Sequence, residues 1–189
     1  FSGTIVLARV LSPSDFGLVG MVMVLMLLIR FFRDFGLTKA TIQRAVISRP
    51  EISNLFWINA GISLLFGALL TAFAPLIASF YGREELTQIT MALAGGLVIE
   101  GLGLQHHALM LRGMQYGKLA LCDVVAQCLS VSVALMAAFY GLGFWALVLM
   151  PIVGSVTRLS FIVCFTRWIP SMISNHGDTR SYLFFGSNL

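Results

Sequence analysis

The stretch "LSPSDFGLVGMVMVLMLLIRFFR", residues 11–33, sets a polar turn before an apolar run and closes that run with two arginines. From about Phe16 to Phe32 it approaches the roughly 20 residues that cross about 30 Å of hydrocarbon. Pro13 lacks an N–H and clashes with the preceding turn, so it cannot continue a helix arriving from upstream. Ser14 or Asp15 is placed to cap the helix that follows, where a carboxylate also suits the positive end of the dipole. The stretch reads as a hairpin turn leading into a membrane span.

The rest of the chain repeats this pattern. Of 189 residues, 58% are hydrophobic and 11% charged, and the mean hydropathy is +0.92. Soluble domains carry about 25% charged residues, and a soluble fold of this size has no way to hide so much apolar surface. The expected fold is all-α, a polytopic transmembrane helix bundle. Residues 1–10 read as the tail of a first span and 16–32 as the second. Further spans cover about 55–80 (with Pro75 near its end), 86–109, 119–140 and 144–165. A seventh opens near Tyr182, so residues 1–181 form a six-helix lobe with a truncated first helix, and 182–189 begin the seventh helix. The chain opens on Phe1 with no basic n-region, so no signal peptide is read. Both ends read as cuts in a longer chain.

Lysines and arginines set the orientation, because they collect on the cytoplasmic side of short loops. Ten of the 12 fall in connections 2–3 and 4–5 or in the sixth span and beyond, and only Arg9 and Arg83 lie on the other side. Ile47 and Gln115 are therefore expected in the cytoplasm, and Ser14 and Gly82 outside. The net charge of +4 follows from this topology and calls for no nucleic acid. Cys122, Cys128 and Cys164 lie in apolar stretches without CxxC spacing and read as buried free thiols. Trp57, Trp145 and Trp168 sit near span ends, as interfacial anchors do.

Five segments carry a family resemblance: "LARVLSPSDFGLVGM" (7–21), "FRDFGLTKATIQR" (32–44), "HHALMLRGMQYGKLAL" (106–121), "GLGFWALV" (141–148) and "RWIPSM" (167–172). In this order they resemble the first half of bacterial polysaccharide flippases, the O-antigen and exopolysaccharide exporters of the multidrug/oligosaccharidyl-lipid/polysaccharide superfamily. The resemblance implies two six-helix lobes around a central cavity in the bacterial inner membrane. It implies as substrate an oligosaccharide on a polyprenyl diphosphate, moved to the outer leaflet by alternating access. Membrane lipid, a polysaccharide polymerase and glycosyltransferases are the implied partners, and no cofactor is implied.

Such a cargo needs cations that recognise phosphate in shelter, and arginine binds phosphate oxygens bidentately while staying charged. Arg30 and Arg33 share a helical face at the end of the second span. The resemblance to the related lipid II flippase gives them the diphosphate role, Arg30 first. Ordinary snorkelling is the alternative. Arg9 lies on the side that basic residues avoid, either paired with Asp15 or receiving the diphosphate at the outer mouth. Arg158, deep in the sixth span with Pro151 loosening that helix, must face the bundle interior or snorkel to the edge. Glu100, the only acidic residue deep in a span, must be protonated, paired or facing water. It is the candidate for cation coupling, with a structural glutamate at a glycine-rich helix contact as the alternative. Asp123, Gln127 and Ser130 form one polar stripe, and Asn59 and Ser63 another. These stripes line a cavity or join helices. The rings of His106 and His107 diverge and have no acidic or cysteine partner nearby, so no metal site is expected.

Two other functions compete. A drug or small-cation exporter of the same superfamily would favour an acidic cavity, whereas the candidates here are mainly arginines. A membrane enzyme of polysaccharide assembly would want clustered carboxylates, and the aspartates here are isolated.

Overall fold

A computed structural model of the chain describes residue 7 and residues 11–33 and 49–171. Among the described residues there are five helices, each long and apolar enough to cross a membrane: α1 (Pro13–Arg33), α2 (Arg49–Tyr81), α3 (Glu85–Arg112), α4 (Tyr116–Phe139) and α5 (Trp145–Thr166). The fold is an all-helical, multi-pass membrane bundle. The expected first span, apart from Leu7, and the start of the seventh lie outside the described residues.

The turn before α1 is capped differently from the expectation. Ser12, not Ser14 or Asp15, holds the N-cap position, with Pro13 as the first helical residue. The Ser12 hydroxyl accepts from the Asp15 N–H at 3.3 Å, and the Asp15 carboxylate accepts from the Ser12 N–H at 3.1 Å and from its hydroxyl at 2.7 Å. This is a reciprocal capping box, and Pro at the first helical position leaves no donor stranded. Asp15 is thus held within its own turn.

Helix α2 begins at Arg49, about a turn and a half before the expected start. At 1.5 Å per residue its 33 residues run to roughly 50 Å, well beyond the hydrocarbon thickness. The early turns are polar but packed. Ser53 and Asn54 are buried, and the Ser53 hydroxyl accepts from the N–H of Ser171 at 3.1 Å. Pro75 sits inside this helix and Pro151 inside α5.

The hairpin turns after α2 and α4 share one device. The N–H of Arg83 reaches the carbonyl of Ala78 and that of Leu142 reaches Ala137, each across a left-handed glycine (Gly82 φ +65°, Gly141 φ +75°). That glycine satisfies carbonyls which the helix end would otherwise leave bare.

Small residues bring the helices close. A Cβ at Gly101 on α3 would run into the Ser63 side chain on α2, and one at Gly67 would meet Val98 at 2.6 Å. On α5, Gly154 faces Ser130 of α4. Close approach through small residues drives packing where lipid supplies no hydrophobic contrast. The main apolar cluster gathers at the end of the bundle that holds the 82–84 and 140–144 turns. It is built from Val22, Leu70, Leu86, Ile89, Ala134, Ala138 and Val148, among others. Leu27, Phe31, Leu64, Phe73, Phe80 and Val124 are exposed, as suits a surface that meets lipid. Cys128 and Cys164 belong to this exposed surface, and only Cys122 is buried. The expectation of three buried thiols fails because these helices are apolar on nearly every face, so sequence does not tell core from lipid.

Candidate functional site

A cavity of about 620 Å³ opens between α1, α3, α4 and α5. Its apolar wall includes Phe16, Val19 and Met23 of α1 and Leu147 of α5, and its polar wall includes Arg30, Glu100, His107, Gln127, Ser130, Ser155 and Arg158. The contribution of α3 follows from helical spacing. Glu100, Gly103, Leu104 and His107 fall at i, i+3, i+4 and i+7, one face of one helix. Tracing that face in the sequence would have connected His107 to Glu100.

One ion-paired cluster joins α1 to α3. Nη2 of Arg30 lies 3.0 Å from Oε2 of Glu100, and Nη2 of Arg33 lies 3.5 Å from Oε1 of the same carboxylate. Arg33 is 2% exposed and also donates from Nη1 to the carbonyl of Leu97 at 3.2 Å. Arg30, with 39% of its side chain exposed, reaches the cavity wall. The Arg30–Glu100 contact is within ion-pair distance but is not aligned as a hydrogen bond. Arg30 Nε and Glu100 Oε2 are both buried without a hydrogen-bond partner. Among the described residues, two guanidiniums stand against one carboxylate, an excess of one cation, and the buried Nε of Arg30 keeps a donor in hand. The residues read separately as diphosphate and coupling candidates thus form one unit.

A second cluster joins α4 to α5. Nε of Arg158 lies 3.0 Å from Oδ1 of Asp123, with 49% and 51% of the two side chains exposed. One cation faces one anion, so this cluster is neutral. Inside the bundle, an ion pair left half open must find water, and Arg158 lines a cavity open to it. Gln127 and Ser130 of the same α4 stripe line the cavity beside Arg158. Asp123 is not on the wall itself, but it anchors a residue that is.

The remaining candidates lie elsewhere. Asn59 is buried between α2 and α3, away from the cavity, and its amide donates to Gln105 at a long 3.4 Å. Arg9 lies outside the described residues. His106 points away from the cavity wall occupied by His107. Its Nδ1 is 3.0 Å from the Thr166 hydroxyl, and its ring packs on Trp168 and Phe56. Trp57 donates from its indole N–H to the carbonyl of Ser171 at 3.0 Å. Together these contacts tie the segment after α5 to α2 and α3, a role for the tryptophans that span-end position alone did not suggest.

The model of a family described as polysaccharide biosynthesis protein matches residues 6–189. The chain is 26% identical over 168 residues to the succinoglycan biosynthesis transport protein ExoT of Rhizobium meliloti (strain 1021), covering 89% of this chain and 34% of that protein. It is 27% identical over 149 residues to the lipopolysaccharide biosynthesis protein WzxC of Escherichia coli (strain K12), covering 79% and 30%. To the teichuronic acid biosynthesis protein TuaB of Bacillus subtilis (strain 168) it is 26% identical over 156 residues, covering 82% and 32%. The chain therefore spans about a third of the length of these relatives. No solved structure matches it.

Proposed function

This chain belongs to the polysaccharide biosynthesis protein family, and on that premise we propose that it forms the first lobe of a two-lobe transporter. Its cargo is an oligosaccharide carried on a polyprenyl diphosphate, turned from the cytoplasmic to the outer leaflet of the bacterial inner membrane by alternating access. Residues 1–181 supply the lobe and 182–189 lead into the second one. Glycosyltransferases deliver the lipid-linked substrate, and a polymerase receives it outside. Transport breaks no covalent bond, so the lobe works by binding and exposing its cargo and is not an enzyme. The names of the relatives support this reading, since they speak of succinoglycan, lipopolysaccharide and teichuronic acid biosynthesis, and one of transport.

The observation that carries the proposal is the Arg30–Arg33–Glu100 cluster on a cavity inside a membrane bundle. A diphosphate arriving there meets a surplus positive charge and an unsatisfied guanidinium N–H. Phosphate oxygens accept bidentately from arginine more favourably than a misaligned carboxylate does. Glu100 competes for the same guanidiniums. Neutralising it with a proton or a sodium ion frees them for the cargo, which makes it the coupling residue of this lobe. A cationic drug would meet the wrong sign of charge. Arg9, expected on the outer side, is the candidate to receive the diphosphate once the lobes rock.

Complementation of a flippase-null strain by the full-length protein tests the reading. Arg30→Ala should fail at wild-type expression. Arg30→Lys should be impaired as well, because a point charge lacks the planar fork. Full complementation by Arg30→Ala overturns the diphosphate role.

A further inference from the structure

The second cluster is built for a different ligand from the first. We infer that Arg158, Gln127, Ser130, Ser155 and His107 on the cavity wall, with Asp123 beside them as the partner of Arg158, form a saccharide subsite, which takes hydroxyls of the glycan while the diphosphate sits at Arg30. This rests on the transport reading above and extends it to the sugar end of the cargo.

Charge makes the first cut. The Arg158–Asp123 pair is neutral, so an anion is repelled by Asp123 and a cation by Arg158, and neither gains net attraction. A neutral polyol gains from both. The guanidinium donates, the carboxylate accepts, and a pair of neighbouring sugar hydroxyls can do each in turn. The Arg158 contact with Asp123 runs through Nε at 3.0 Å, and a guanidinium carries four further N–H donors on its Nη groups.

The surrounding groups continue this mixture. The Ser130 hydroxyl donates to the carbonyl of Gln127 at 3.0 Å, and that of Ser155 donates to the carbonyl of Pro151 at 2.9 Å. Both hydroxyl protons are therefore used within the helices, and the oxygen lone pairs are left as acceptors on the cavity wall. The Gln127 side chain offers both an acceptor and donors, and the His107 ring offers one of each when neutral.

Position agrees with a ligand that extends from the diphosphate. His107 lies seven residues beyond Glu100 on the same face of α3, about 10 Å along the helix. Both line one continuous cavity, so a glycan starting at the first cluster runs along this wall. A purely structural ion pair would need none of the flanking polar groups.

The test compares two probes on purified full-length protein in lipid nanodiscs: farnesyl diphosphate, and the same lipid carrying one or two glucose units on the diphosphate. In the wild type the glycosylated probes should bind more tightly than the bare one, and this ratio reads the subsite. The swap Asp123→Arg with Arg158→Asp keeps an ion pair between α4 and α5 but exchanges donor and acceptor. It should preserve the melting temperature and lower the ratio roughly ten-fold, the value of about one charge-assisted hydrogen bond. Gln127→Leu, which leaves the pair intact, should lower it several-fold and keeps the test open if the swap misfolds. A wild-type ratio of one overturns the subsite, as does a ratio unchanged in Gln127→Leu or in a folded swap. Failure of the transport reading is separate, because it would appear as farnesyl diphosphate binding that ignores Arg30.

Discussion

Two ion-paired clusters face one cavity, and among the described residues they differ by a single charge. Between α1 and α3, two arginines share Glu100, Arg33 is almost fully buried, and a buried guanidinium N–H goes unsatisfied. Between α4 and α5, one arginine meets one aspartate, both half open to water. In the proposed reading, the first arrangement takes an anion. The second is complete in charge and offers directional hydrogen bonds. An arginine in a membrane span therefore says little until its partners are counted. Arg30 and Arg158 are the same residue type on the wall of one cavity, and their neighbours suit them to different ligands in the reading proposed above.

The largest effect should follow from breaking the first cluster at its cavity edge. Arg30→Ala removes a charge-assisted partner worth about 1.5–3 kcal/mol, roughly one to two powers of ten in diphosphate affinity. Titration of the full-length protein with farnesyl diphosphate reads this directly.

Glu100→Gln sharpens the comparison in the opposite sense. With the internal competitor neutral, farnesyl diphosphate should bind several-fold more tightly. Transport in vesicles should lose its response to a proton or sodium gradient. An unchanged gradient response would leave Glu100 as a brace for Arg33 and nothing more.

Asp123→Asn should be the mildest of the charge changes. Half-exposed ion pairs contribute about 0–1 kcal/mol, so the melting temperature should shift by no more than a few degrees. A large loss of folded protein would mean that the second cluster is a structural clamp. Orientation has its own check. On whole cells, an impermeant thiol reagent should label a cysteine placed at Gly82 and not one at Gln115, in a background free of other cysteines.

The fold was more legible than the site. Helices α3, α4 and α5 lie within a few residues of the apolar runs, because length and hydropathy alone define a span. The start of α2 was not legible. Its first turns are polar, and they are stabilised by Ser171, 118 residues away. The burial of the thiols could not be read either, since a helix that is apolar all round carries no stripe to mark its inner face. The first cluster joins helices distant in sequence, and the second joins the two arms of one hairpin. Arg33 reaches Leu97 across 64 residues, and nothing in either segment names the other. Residue type and depth were enough to single out Arg30, Glu100, Asp123 and Arg158 one by one. Their pairing came only from the packing of α1 on α3 and of α4 on α5. Asn59 shows the converse, a polar stripe residue that serves a helix contact through Gln105 and not the cavity.

If charge surplus, and not arginine as such, selects the diphosphate, Arg30 and Arg158 must differ as binding partners. The direct measurement is the dissociation constant of farnesyl diphosphate for full-length Arg30→Ala and Arg158→Ala, side by side with the wild type. The prediction is a roughly ten- to hundred-fold weakening for Arg30→Ala and little change for Arg158→Ala. Equal weakening in the two variants, or none in Arg30→Ala, would contradict it.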